Sequence, residues 1–142
     1  MPRADELYEA IEANDICKIK RLLEQDRDLV EAIDETPPQI HWAIYQDKRQ
    51  MVELLLDHGA DIERRDQDRD ATPLDYAIVY GRKEIIPVLI SCGANLDGKL
   101  QSAIKGASGG YEDFSELPSR HEYEGIAQLL RDSVQITKLD AG

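Results

Sequence analysis

Apolar residues along this chain fall into short paired stripes at helical spacing, not into alternating patterns or long continuous runs. The clearest pair lies within Ala71 to Leu96, A-T-P-L-D-Y-A-I-V-Y-G-R-K-E-I-I-P-V-L-I-S-C-G-A-N-L. Thr72-Pro73 suits a helix start, because a threonine oxygen caps free N–H groups and proline at the first helical position has no N–H to leave unpaired. Leu74, Ala77 and Ile78 then form one apolar stripe, and Gly81 breaks it. Ile85, Ile86, Leu89 and Ile90 form a second stripe, which Gly93 ends where a left-handed residue is wanted. Such a helical hairpin is too small to bury its own apolar face.

The same unit recurs. Its first-helix alanine is found at Ala10, Ala43, Ala77 and Ala103, at spacings of 33, 34 and 26 residues. Twelve residues beyond each of the first three comes a pair of large aliphatics, Leu22-Leu23, Leu55-Leu56 and Leu89-Ile90. After Ala103 the pair is delayed to Leu129-Leu130, which places about fourteen extra residues between the helices of the last unit. The predicted buried faces are Leu7, Ala10, Ile11, Ile19, Leu22 and Leu23 in the first unit and Ile40, Ala43, Ile44, Val52, Leu55 and Leu56 in the second. The fourth has Leu100, Ala103 and Ile104, then Tyr123, Ile126, Leu129 and Leu130. Asp28 to Pro38 reads as an extended link. Asp47 takes the place of a helix-breaking glycine, and Pro87 predicts a late start or a mild kink in its helix.

A period near 33, a T-P-L-x-x-A start at Thr72 to Ala77, Ile40-His41-Trp42-Ala43, and the endings Gly59-Ala60-Asp61 and Gly93-Ala94-Asn95 resemble the ankyrin repeat. The resemblance covers about residues 5–132. It implies an all-α helical-hairpin repeat solenoid of four stacked units with capping ends, at about 5–34, 35–66, 67–97 and 98–132. An inserted loop would span 106–121 and a C-terminal tail 133–142. Pro38 and Asp75 depart from the family's threonine and histidine, so the hydrogen bond those two usually share cannot form within either unit.

Charge narrows the partners. With 29 acidic and 17 basic residues the formal charge is −12, which disfavours nucleic acid and anionic membrane, since both are held through Lys and Arg. A basic protein partner is the expectation, drawn in by the complementary field. No apolar run approaches a membrane span, residues 1–5 lack the apolar region of a secretory signal, and a cytoplasmic location is expected. Cys17 and Cys92 are expected to be reduced thiols packed like small apolar residues.

The resemblance implies binding through finger tips and first helices. Mapped onto this chain, the first helices offer Glu12, Trp42, Tyr45, Gln46, Tyr76, Tyr80 and Lys105. Finger tips and the insertion add Glu35, Arg69, Asp70 and Tyr111. Trp and Tyr are residues that binding hot spots favour. His41 is expected to bond backbone between repeats. The alternative is a small enzyme or metabolite binder in which His41, Asp75 and Glu9 do acid–base work beneath a lid formed by 106–121, so a small-molecule ligand stays open as a partner. No nucleophile motif accompanies those three. No metal or cofactor is expected: His121, Glu122 and Glu124 with Glu112, Asp113 and Glu116 lack ligand spacing, and Gly106 to Gly110 lacks the lysine of a phosphate loop.

Overall fold

The computed structural model describes residues 4–31, 38–67, 70–107 and 117–141. Among them are eight α-helices and no strand: α1 (Ala4–Glu12), α2 (Ile16–Gln25), α3 (Gln39–Tyr45), α4 (Arg49–Asp57), α5 (Pro73–Val79), α6 (Ile85–Ser91), α7 (Lys99–Ala107) and α8 (Arg120–Ala141). The chain is all-α, and α1 packs on α2, α3 on α4 and α7 on α8. It divides into two compact units, Met1–Pro73 and Leu74–Gly142.

One turn geometry joins the helices of the first three hairpins. Four residues after the alanine, Asn14, Asp47 and Gly81 take left-handed backbone, with φ of 57°, 57° and 69°. One residue later, Asp15, Lys48 and Arg82 donate their N–H to the alanine carbonyl at 3.0, 2.9 and 2.8 Å. Asp and Asn tolerate this conformation better than other residues with a side chain, so the break needs glycine only once in three copies. The second helices of hairpins two and three end alike. Gly59 and Gly93 sit at φ 95° and 93°, and the following alanines bond back to Leu55 and Leu89 at 3.0 Å. Pro87 delays its helix, as expected: α2 and α4 begin six residues after their alanine, α6 eight. Proline then falls in the first turn, where no intrahelical N–H is required.

In the first unit α1 packs on α2 and α3, and α3 on α4. Leu7, Ile11, Ile19, Leu23, Ile40, Ile44, Val52 and Leu55 are buried to 1% exposure or less, each contributing about 1.5–3 kcal/mol of burial. Met51 joins them. Leu56 is only half-buried. The link after α2 starts as a 3₁₀ turn, Arg27–Glu31, not as extended chain, because Leu29 and Val30 turn inward. Arg64 then ties this turn to the next finger, its guanidinium bonding both the carboxylate and the carbonyl of Glu31, while the Asp61 N–H donates to that carboxylate at 2.7 Å.

In the second unit Leu74, Ala77, Ile78, Ile85, Ile86 and Leu89 form the buried set, and Ile90 is half-buried. α7 lies against α8, where the Tyr123 ring covers Gly106 and its hydroxyl donates to the Val79 carbonyl at 2.5 Å. Pro118 rests against Gly81 with no room for a side chain there. Ser119 and Glu122 open α8 as a reciprocal cap: Ser119 N–H donates to the Glu122 carboxylate at 2.7 Å, and Glu122 N–H to the serine oxygen at 3.2 Å. The bond from the Ser119 N–H, helped by the Ser119 side chain and by the Lys83 charge, holds the Glu122 carboxyl below its usual range. α8 continues through 133–141. Two expectations need correction. Ile104 is 38% exposed, because α8 covers the Ala103 and Gly106 side of α7 instead. Cys17 and Cys92 are exposed free thiols, since Cys17 lies on α2 away from its apolar stripe and Cys92 is the residue that caps the end of α6.

Candidate functional site

The first helices carry most of the residues in question. On α1, Tyr8 is buried while Glu9 and Glu12 are exposed. On α3, Ile40, Ala43 and Ile44 take the core, which turns Trp42 and Tyr45 to the opposite side, both half-buried. Trp42 stacks on Tyr45 with ring centroids 6.0 Å apart and 23° between planes, and meets Tyr8 edge-on at 6.2 Å. Its indole N–H is buried and has no hydrogen-bond partner. Lys48, just past α3, donates to the Glu12 carbonyl at 2.7 Å. Gln46 is half-buried beside Tyr45 in sequence.

His41 stands on the other side of the same helix and is fully buried. Its Nε2 lies 2.8 Å from the Ala71 carbonyl, which also accepts the Asp66 N–H at 2.9 Å. The ring thus braces the base of the next finger, as the expected backbone role requires. Burial lowers its pKa, partly offset by the Ala71 bond and the nearby Asp66. Asp70 lies exposed at φ 51° in that finger.

In the second unit Tyr76 is buried and Tyr80 half-buried on α5 and its end, with ring centroids 5.6 Å apart in an edge arrangement. The Arg82 guanidinium sits 5.9 Å from the Tyr80 ring centre. Asp75 pairs with the buried Lys99 at 2.8 Å, so both residues have a structural use. Lys105 is exposed on α7. Glu35, Arg69 and Tyr111 lie outside the described residues, as do Glu112, Asp113 and Glu116 and positions 108–116 of the insertion.

Each unit therefore carries its own aromatic group, the Trp42–Tyr45 pair in the first and Tyr76, Tyr80 and Arg82 in the second. Among the described residues no cluster of three or more His, Cys, Asp or Glu is arranged to hold a metal, and no helix is long and apolar enough to cross a membrane. Sequence reasoning missed Arg82 as a neighbour of Tyr80 and Lys48 as a tie between the end of α3 and the end of α1. Their shared place, five residues after the first-helix alanine, was the available signal.

The family model described as "Ankyrin repeats (3 copies)" matches residues 7–99. Diacylglycerol kinase zeta of Rattus norvegicus is 29% identical over 97 residues, 68% of this chain and 10% of that protein. The chain spans only 9–14% of the length of the curated relatives it first matches. The crystal structure of the ankyrin repeat domain of Bcl-3, of the IkappaB family, has a TM-score of 0.61 at 24% identity, covering 68% of this chain and 45% of that one. A chain from the complex of the predatory endopeptidase Bd0816 of Bdellovibrio bacteriovorus with immunity protein Bd3460 has a TM-score of 0.58 at 27% identity, covering 68% and 50%.

Proposed function

The chain belongs to the ankyrin repeat family, and on that premise we propose that it binds a basic protein partner through its acidic, aromatic first-helix surface and acts as an inhibitor or immunity factor. The observation that carries this reading is the half-buried Trp42–Tyr45 pair, which meets α1 through Tyr8, in a chain of formal charge −12 whose α1 exposes Glu9 and Glu12. Large aromatic rings give contact area at low entropic cost, and the carboxylates add steering toward a cationic partner. Likeness to a chain of an endopeptidase–immunity protein complex supports the inhibitor form. The bonds of His41 to Ala71 and of Asp75 to Lys99 give those residues structural work and weigh for binding over catalysis.

Calorimetric titration against the Bd0816 endopeptidase, together with its cleavage rate, tests this. The expected result is stoichiometric binding that inhibits cleavage, weakens steeply between about 50 and about 500 mM salt, and is reduced by Trp42→Ala with Tyr80→Ala. Binding that ignores salt and survives both substitutions refutes the acidic, aromatic surface. Absence of binding removes the support drawn from that complex.

A further inference from the structure

The chain has one Asp-Gly step and no Asn-Gly step, and that step, Asp97-Gly98, lies directly before α7. Both residues are exposed. Gly98 has φ 76°, and a Cβ built on it would meet nothing within 4 Å. Among the described residues the Gly98 N–H donates no hydrogen bond and the Asp97 carboxylate accepts none. The step is spanned by the turn bond from the Lys99 N–H to the Leu96 carbonyl at 3.1 Å. Lys99 itself is buried, with its ammonium on Asp75 at 2.8 Å. Asp132-Ser133, another Asp followed by a small residue, lies inside α8, where the helix engages the backbone N–H groups.

We propose that Asp97 is a spontaneous modification site, at which the residue converts to isoaspartate through a cyclic imide and the lengthened backbone unseats the start of α7. In the first step the Gly98 nitrogen attacks the protonated Asp97 carboxyl. A bond forms from that nitrogen to Cγ, the Cγ–OH bond breaks, and water leaves with the hydroxyl and the amide proton. In the second step water adds to the Asp97 main-chain carbonyl carbon and breaks its bond to the Gly98 nitrogen, which regains a proton. The chain then runs through Cγ, the former main-chain carbonyl is a free carboxylate, and the mass is unchanged. Glycine favours ring closure because it has no Cβ to hinder the nitrogen and its backbone turns most freely. An exposed turn reaches the ring geometry by local opening, which a helix interior resists. The product adds one methylene to the main chain, about 1.5 Å of length, between Leu96 and Gly98. The Leu96–Lys99 turn then no longer fits, and Lys99 is drawn away from Asp75. Separating a buried charge from its partner is costly, so the first turn of α7 yields.

The full chain is aged at body temperature in mildly acid buffer, digested with trypsin, and the Glu84–Lys99 peptide is read by electron-transfer fragmentation, which distinguishes isoaspartate from aspartate. A second readout is methyl transfer from labelled S-adenosylmethionine by an isoaspartyl methyltransferase. The parent chain is expected to accumulate a peptide of unchanged mass with isoaspartate at position 97, and to become a methyl acceptor as it does so. Asp97→Asn, at the same exposed position, is expected to reach the same product faster, because an amide loses ammonia more readily than an acid loses water. Asp97→Glu is expected to lose the reaction, since its ring would have six members and closes far more slowly. Amide hydrogen exchange in the first turn of α7 should speed up in the aged parent and stay unchanged in aged Asp97→Glu. Absence of isoaspartate at 97 in the aged parent overturns the site, as does its formation at Asp132 at an equal rate. Accumulation in Asp97→Glu as fast as in the parent overturns the imide route. Isoaspartate at 97 with α7 exchange unchanged overturns the unseating.

Discussion

Replacing Gly106 by alanine tests how α8 is fastened to α7. A Cβ at this position would lie 2.5, 2.6 and 2.7 Å from Cγ, Cδ1 and Cδ2 of Tyr123. Comfortable carbon–carbon separations are about 3.5–4.0 Å, so the ring has to retreat by roughly 1 Å. It has little freedom to do so, being 2% exposed and tied through its hydroxyl to the Val79 carbonyl. Overpacking of this kind costs about 1–3 kcal/mol, and loss of the hydroxyl bond adds about 1 kcal/mol. Alanine's helix preference over glycine returns about 1 kcal/mol, which leaves a net loss of about 1–3 kcal/mol. Amide hydrogen exchange of α7 and α8 through a urea series reads that loss in the second unit. Adding Tyr123→Leu removes the obstructing ring, so the double variant should be no less stable than Tyr123→Leu alone. A Gly106→Ala protein more stable by about 1 kcal/mol, the gain expected on an open helix face, refutes the packing argument.

Three further outcomes follow from the geometry. Because burial lowers the His41 pKa below its ordinary 6.5, the unfolded chain takes up the proton first. Its stabilising contribution is complete above pH 6.5 and is lost as pH falls toward the lower folded value, so the tryptophan-monitored urea midpoint should drop in that window for the parent chain and not for His41→Gln. Ser119→Ala removes one half of the α8 cap and should cost about 0.5–2 kcal/mol, read as faster exchange in the first turn of α8 with α7 unchanged. Exposed Cys17 and Cys92 should both react with a thiol reagent in native buffer, and modification that waits for denaturant would contradict their placement.

The repeat was legible because short helices need one apolar face, and Ala10, Ala43 and Ala77 with the aliphatic pairs twelve residues on mark that face directly. Asp47 could be read as a left-handed turn for a similarly local reason, since few side chains accept φ near 57°. Leu29 and Val30 were missed because two apolar residues in an acidic stretch carry no period. Ile104, Cys17 and Cys92 were misplaced because the stripe rule says which side of a helix is apolar but not how far the neighbouring element reaches across it.

Local propensity and period thus determined the hairpins, their turns and their register, since these depend on residues within a few positions of one another. Tertiary structure alone decided that Tyr76 is buried while Trp42 and Tyr45 stay half-open, that Lys48 turns to Glu12 and Arg82 to Tyr80, and that His41 braces Ala71. Each of these outcomes depends on which side chains lie opposite, a fact set by packing between elements and not by any residue's own neighbours in the chain.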